Sequence, residues 1–123
     1  MSIPVDPNQL ETELERFGRS AFLLTVCDDQ TSHVAHMTLS FEEGILRCPV
    51  SRTAARNVAH RPKVVLLWPP WEPDGYSMIV DADCSVEDEE LCITPTSGVL
   101  HRPAAADTST GPECGSDCAP LGS

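Results

Sequence analysis

Five cationic side chains, Arg47, Arg52, Arg56, Arg61 and Lys63, follow one another between Ile45 and Trp71 with no carboxylate among them. The chain as a whole carries 8 Lys and Arg against 19 Asp and Glu, a formal net charge of −11. A basic island in an acidic protein draws an anion. It suits a small anion, such as the phosphate of a cofactor or metabolite, better than a nucleic acid, whose binding needs extended neutralisation of a phosphate chain. The plainer reading is a solvated arginine-rich face that pairs with nearby acids. The densest part of the island is Cys48-Pro-Val-Ser-Arg-Thr-Ala-Ala-Arg-Asn57. There Ser51, Arg52, Thr53 and Arg56 supply two hydroxyls and two guanidiniums at an expected strand-to-helix junction. The free N–H groups and dipole of a helix start favour an anion, and arginine grips phosphate oxygens in pairs. The stretch has no glycine-rich phosphate cradle.

Other reactive residue types form weaker patterns. His33, His36, His60 and His101 show no metal spacing, and His33 and His36 fall on opposite faces of an expected strand, so no metal site is expected. No serine or cysteine nucleophile stands in a defensible triad. Cys27, Cys48, Cys84 and Cys92 lie in apolar segments and read as small buried hydrophobes. Cys114 and Cys118 are half of a four-ligand zinc site. They read as inert thiols, with a reversible disulfide or a metal shared between two chains as alternatives. Trp68 and Trp71 flank a proline-rich loop, where they either pack at an edge or line a cofactor pocket or dimer seam.

The elements that hold these residues are readable from periodicity. Asp6-Pro7-Asn8-Gln9 is a capped helix start, Leu10, Leu14 and Phe17 recur at helical spacing, and Gly18 ends the helix. Strands are expected over Ala21 to Cys27, Ser32 to Phe41 and Ile45 to Val50, joined by turns at Asp28 to Thr31 and Glu42 to Gly44. Ser51 caps a short helix from Arg52 to His60, with Ala55, Val58 and Ala59 expected on its inner face, and Arg61-Pro62 ends it. Three further strands are expected: Lys63 to Trp68, Tyr76 to Val86 and Leu91 to Thr94. From Pro103 onward the composition has little to bury, so 1–103 is expected to be one domain and 104–123 a disordered cysteine-containing tail. The fold class is mainly β, an antiparallel six-stranded barrel or sandwich with helical plugs. No apolar run is long enough to span a bilayer and the N-terminus does not read as a signal peptide, so a cytoplasmic protein without membrane contact is expected.

The run Ser51-Arg-Thr-Ala-Ala-Arg-Asn-Val-Ala-His-Arg-Pro-Lys-Val64, after three hairpin-linked strands, resembles the pyridoxamine 5′-phosphate oxidase-like family. Val65 to Pro70 with Gly75 to Asp81, Thr94-Pro95-Thr96, Val99 to Pro103 and the Cys114 to Cys118 tail resemble a short subgroup of it. The resemblance implies an FMN-binding split barrel and a homodimer with cofactor sites at the subunit interface. It implies that the flavin phosphate is held by Ser51, Arg52, Thr53 and Arg56, and that His36, Met37 and Thr38 form the strand edge beside the ring. Where many relatives carry a lysine, two residues before Arg56-Asn57, this chain has Ala54. The cofactor implied is FMN, with a deazaflavin or no cofactor as alternatives. The activity implied is that of an oxidoreductase acting on a small-molecule substrate. The alternatives are a non-catalytic dimer holding a small phosphorylated ligand and a thiol- or metal-handling protein working through its tail.

Overall fold

The computed structural model describes residues 2–103, so the expectations for the cysteine-containing tail lie outside the described residues. Eight strands form one antiparallel sheet: β1 (Ser2–Val5), β2 (Ser20–Val26), β3 (Ser32–Thr38), β4 (Ser40–Glu42), β5 (Ile45–Pro49), β6 (Lys63–Trp68), β7 (Ser77–Glu87) and β8 (Glu90–His101). The helices are α1 (Leu10–Phe17), preceded by a 3-10 turn at Pro7–Gln9, and α2 (Arg52–His60). The sheet order is β3-β2-β6-β7-β8-β5-β4, with β1 added to β8.

The strand expected from Ser32 to Phe41 is two strands. Leu39 divides it: the side chain is 3% exposed, and its N–H donates to Arg19 O at 2.7 Å, which closes the register of the β2–β3 pairing. Before Leu39 the chain pairs with β2, and after it with β5. One continuous segment therefore supplies both end strands of the sheet, and this curls the sheet into a barrel. The two-residue turn Glu43-Gly44 has φ of 52° and 81°, the left-handed pair that hairpins of this length require.

The last strand is much longer than the stretch from Leu91 to Thr94. Pro95 and Gly98 read as breakers, yet both lie inside β8. One side of β8 pairs with β7 throughout. The other side pairs with β5 over Glu90–Ile93 and with β1 over Gly98–His101. Residues 94–97 face the gap between β5 and β1, so the missing N–H of Pro95 removes no bond on that side. The ladder with β7 slips there, because Asp81 pairs with Ser97 and Ala82 with Pro95, leaving Thr96 as a bulge. Gly98 packs closely against β1: a Cβ would lie 3.2 Å from Val5 O. β1 was missed because an isolated four-residue strand has no periodicity to read.

Inward-facing side chains alternate along the strands and form the core, with Ala21, Leu23, Leu46, Leu66, Trp68, Met78, Val80, Leu91 and Ile93 all at most 2% exposed. Helix α1 adds Leu10, Leu14 and Phe17 and stops at Gly18 (φ 88°). Its last carbonyls are capped by both tryptophans: Trp68 Nε1 donates to Gly18 O at 2.9 Å and Trp71 Nε1 to Arg16 O at 3.1 Å. The inner face of α2 is Ala54, Asn57 and Val58 rather than Ala55, Val58 and Ala59, because Ala59 is exposed and Ala55 half-buried.

Cys48, Cys84 and Cys92 are buried and free. Burial, followed by the charges of Glu90 and Cys92, pushes the Cys48 thiol up to about 11. Burial, followed by Cys48 and Cys92, pushes Cys84 up to about 12. Both thiols stay protonated in the folded state after an unfolded thiol, near 9.0, has ionised. Their contribution to stability is complete below that value and declines as pH rises through 9 towards 11. The expected outcome is a falling denaturant midpoint over that interval. Peptide mapping after iodoacetamide at pH 8 should show Cys48 and Cys84 unmodified in the native protein and labelled in denaturant.

Candidate functional site

The start of α2 has the geometry of an anion site. Ser51 is extended (φ −105°, ψ 159°), and its hydroxyl oxygen accepts from Ala54 N–H at 3.2 Å. Its carbonyl accepts from Ala55 N–H at 2.9 Å. The Ser51 hydroxyl proton and the N–H groups of Arg52 and Thr53 remain as first-turn donors that the helix itself cannot use. Arg52 and Arg56 are exposed, one turn apart, and form no ion pair among the described residues. Thr53 is half-buried between them.

The rest of the basic island is otherwise engaged. Arg61 pairs with Asp28 at 2.9 Å and Lys63 with Asp83 at 3.3 Å. Arg47 Nη1 donates to Cys92 Sγ at 2.8 Å. Ala54 is 1% exposed on the inner face, so a cation at this position of this helix would point into the core.

His36, Met37 and Thr38 lie on β3, an end strand of the sheet. His36 and Thr38 are exposed on one face, while Met37 packs against the core on the other. The His36 ring stacks on Phe22, with centroids 4.8 Å apart and planes 24° from parallel. Sequence reading missed Phe22 because only the pairing of β2 with β3 brings it opposite His36. No hydrogen bond or ion pair joins the α2 group to the β3 group among the described residues. They are coupled indirectly, since α2 packs chiefly against β7 and β2.

That coupling runs through Asn57, which sequence reading treated only as part of a motif. Asn57 is fully buried, and its Nδ2 donates to Thr25 Oγ1 at 2.9 Å and towards Cys27 Sγ at 3.5 Å. Its Oδ1 has no hydrogen-bond partner among the described residues. Arg61 and His60 hold the same hairpin through Asp28, whose carboxyl is lowered from its ordinary value first by the Arg61 hydrogen bond. The end of α2 is thereby tied to the β2–β3 hairpin that carries His36. Among the described residues no group of His, Cys, Asp and Glu side chains is placed to hold a metal, and no helix is long and apolar enough to cross a membrane.

No family model matches the sequence. Uncharacterized proteins of Mycobacterium bovis and Mycobacterium tuberculosis are 33% identical to it, each match covering 80% of this chain and 82% of the relative. The chain belongs to their family. Its fold is the split barrel of the pyridoxamine 5′-phosphate oxidase-like proteins. The FAD-binding protein of Mycobacterium smegmatis superposes with a TM-score of 0.59 at 15% identity, over 83% of this chain and 100% of that one. An FAD-binding protein of Mesorhizobium loti gives 0.61 at 13% identity, over 81% and 96%. A pyridoxinephosphate oxidase-family protein of Clostridium acetobutylicum gives 0.61 at 13%, over 80% and 91%. The split barrel thus holds the two residue groups on elements linked by Asn57.

Removing the Asn57 amide strands the Thr25 hydroxyl and leaves a cavity. Asn57→Ala is expected to lower stability by about 1–3 kcal/mol in urea unfolding. Arg52→Ala, at an exposed unpaired position, should stay within about 0.5 kcal/mol of the parent.

Proposed function

We propose that this protein binds a phosphate-bearing flavin, FMN in the first instance, as a homodimer, and acts as an oxidoreductase on a small-molecule substrate. The observation that carries the reading is the start of α2: two arginines without carboxylate partners among the described residues, a hydroxyl proton and first-turn N–H groups meet at one helix end. This donor set suits a phosphate dianion, and the acidic remainder of the chain disfavours long polyanions. The FAD-binding proteins of M. smegmatis and M. loti, which share the fold, support a flavin as the class of ligand.

Ser51, Arg52, Thr53 and Arg56 would hold the phosphate, the arginines by paired hydrogen bonds and Ser51 by its free hydroxyl proton. The edge of β3 at His36, Met37 and Thr38 would border the ring, with Phe22 fixing the tilt of His36. When bound, a flavin supplies the hydride or electron chemistry, and the protein's task is to orient it and exclude water.

The homodimer reading draws on the outer face of the sheet. Phe22, Leu67, Ile79 and Val99 lie in register across β2, β6, β7 and β8, all half-exposed. Such a row of apolar side chains gains from cover, and pairing adds buried surface to a small domain. A second reading, a non-catalytic dimer holding a small phosphorylated ligand, is favoured by Ala54, whose burial leaves the site one cation short of the pattern in many relatives.

Titration of the apo protein with FMN, FAD and a deazaflavin, followed by visible absorbance, tests the ligand. Replacing Arg52 and Arg56 together by Ala should weaken FMN binding by about 1.5–3 kcal/mol for each charged hydrogen bond lost. Unchanged affinity for all three ligands in the double variant would sink the assignment. Photoreduction of the bound flavin followed by reoxidation with candidate electron acceptors separates an oxidoreductase from a mere binder. Light scattering should return a dimer at micromolar concentration, and a monomer would remove the interface site.

A further inference from the structure

A cavity lies far from the start of α2. It has a volume of about 250 Å³ and is lined by Arg16, Phe17, Trp71, Glu72, Gly75 and Tyr76. The loop after β6 forms it against the end of α1, beyond the Trp68–Met78 pair that ends the β6–β7 ladder. Ser51 lies by the opposite end of β7, where Val50 N–H reaches Glu89 O. β7 is 11 residues long, so the two places are separated along it by on the order of 30 Å.

Trp71 is 78% exposed, although an indole of this size is normally covered. It is not loose: its N–H is held by Arg16 O at 3.1 Å, which fixes one edge of the ring and leaves its surface open. The loop around it is stiffened by Pro69, Pro70 and Pro73 and closed by a bond from Gly75 N–H to Glu72 O at 2.9 Å. A Cβ on Gly75 would lie 3.2 Å from Glu72 O, so a bulkier residue would disturb this turn. Phe17, buried in the core, and Tyr76, half-buried with Arg102 over its ring, also line the niche.

We infer that this niche binds a flat, uncharged heteroaromatic ring, stacked on Trp71. The volume sits below the range for drug-sized ligands and suits one or two fused rings. Local charges argue for neutrality. Arg16 is paired with Glu13 at 3.0 Å, Arg102 lies 4.7 Å from the Tyr76 centroid, and Glu72 offsets the cations. The site is independent of the proposed flavin phosphate site.

The test uses the whole chain and nicotinamide, a neutral one-ring heteroaromatic, in calorimetric and saturation-transfer titrations. Saturable binding is expected, unchanged by salt and by excess inorganic phosphate. Trp71→Ala should weaken it by about 10-fold and Trp71→Phe, which keeps an aromatic face, by less than about 3-fold. Both variants should fold, since the side chain is exposed. Binding that fails to saturate at tens of millimolar, or that is indifferent to Trp71→Ala, overturns the inference. So does a change from dimer to monomer in Trp71→Ala, which would make Trp71 an interface residue.

Discussion

The two ends of the sheet are the same piece of chain, and Leu39 is where it turns from one to the other. Its side chain is buried in the core, and the bond from its N–H to Arg19 O closes the β2–β3 pairing before the chain passes to β5. At this residue the pairing partner of the segment changes from β2 to β5. With that change, β3 extends β2 at one end, β4 extends β5 at the other, and the core is enclosed between them. The bend also makes β3 an end strand, so that His36 and Thr38 face outward while Met37 packs inward.

Polar satisfaction at the helix ends then decides what remains available for binding. The tryptophans cap the carbonyl end of α1, one from the core and one from the surface. At α2 the logic is reversed. Ser51 satisfies the third-residue N–H, Asn57 and Arg61 tether the far end, and the first N–H groups stay unspent. A helix anchored at its end and open at its start presents the donors and the dipole that the proposed phosphate site calls for. The unpartnered Oδ1 of Asn57 is a polar atom buried for the sake of this tether.

The basic island illustrates how folding edits a charge pattern. In the linear chain its five cations are equivalent. Folding places Asp28 beside Arg61, Asp83 beside Lys63 and the Cys92 thiol beside Arg47, none of which is near in sequence. Arg52 and Arg56, both exposed on α2, form no ion pair among the described residues.

Much of the fold was readable because its signals are local. The capping box at Asp6 and Gln9, the helical spacing of Leu10, Leu14 and Phe17, the Ser51 cap and the stop at Arg61-Pro62 depend on neighbours a few residues away. The same holds for the placing of Ser51, Arg52, Thr53 and Arg56 around the start of α2, since they lie within six residues of one another. What required the tertiary structure depends on partners distant in sequence. The break at Leu39, the passage of β8 through Pro95 and Gly98, the His36–Phe22 stack and the Thr25–Asn57 bond are of this kind. Pro95 is tolerated because the strands beside β8 leave a gap there, and the bond from Trp71 to Arg16 O joins residues 55 apart in the chain. Local chemistry sets which conformations a segment prefers, whereas barrel closure sets which of its groups find partners and which are left for a ligand.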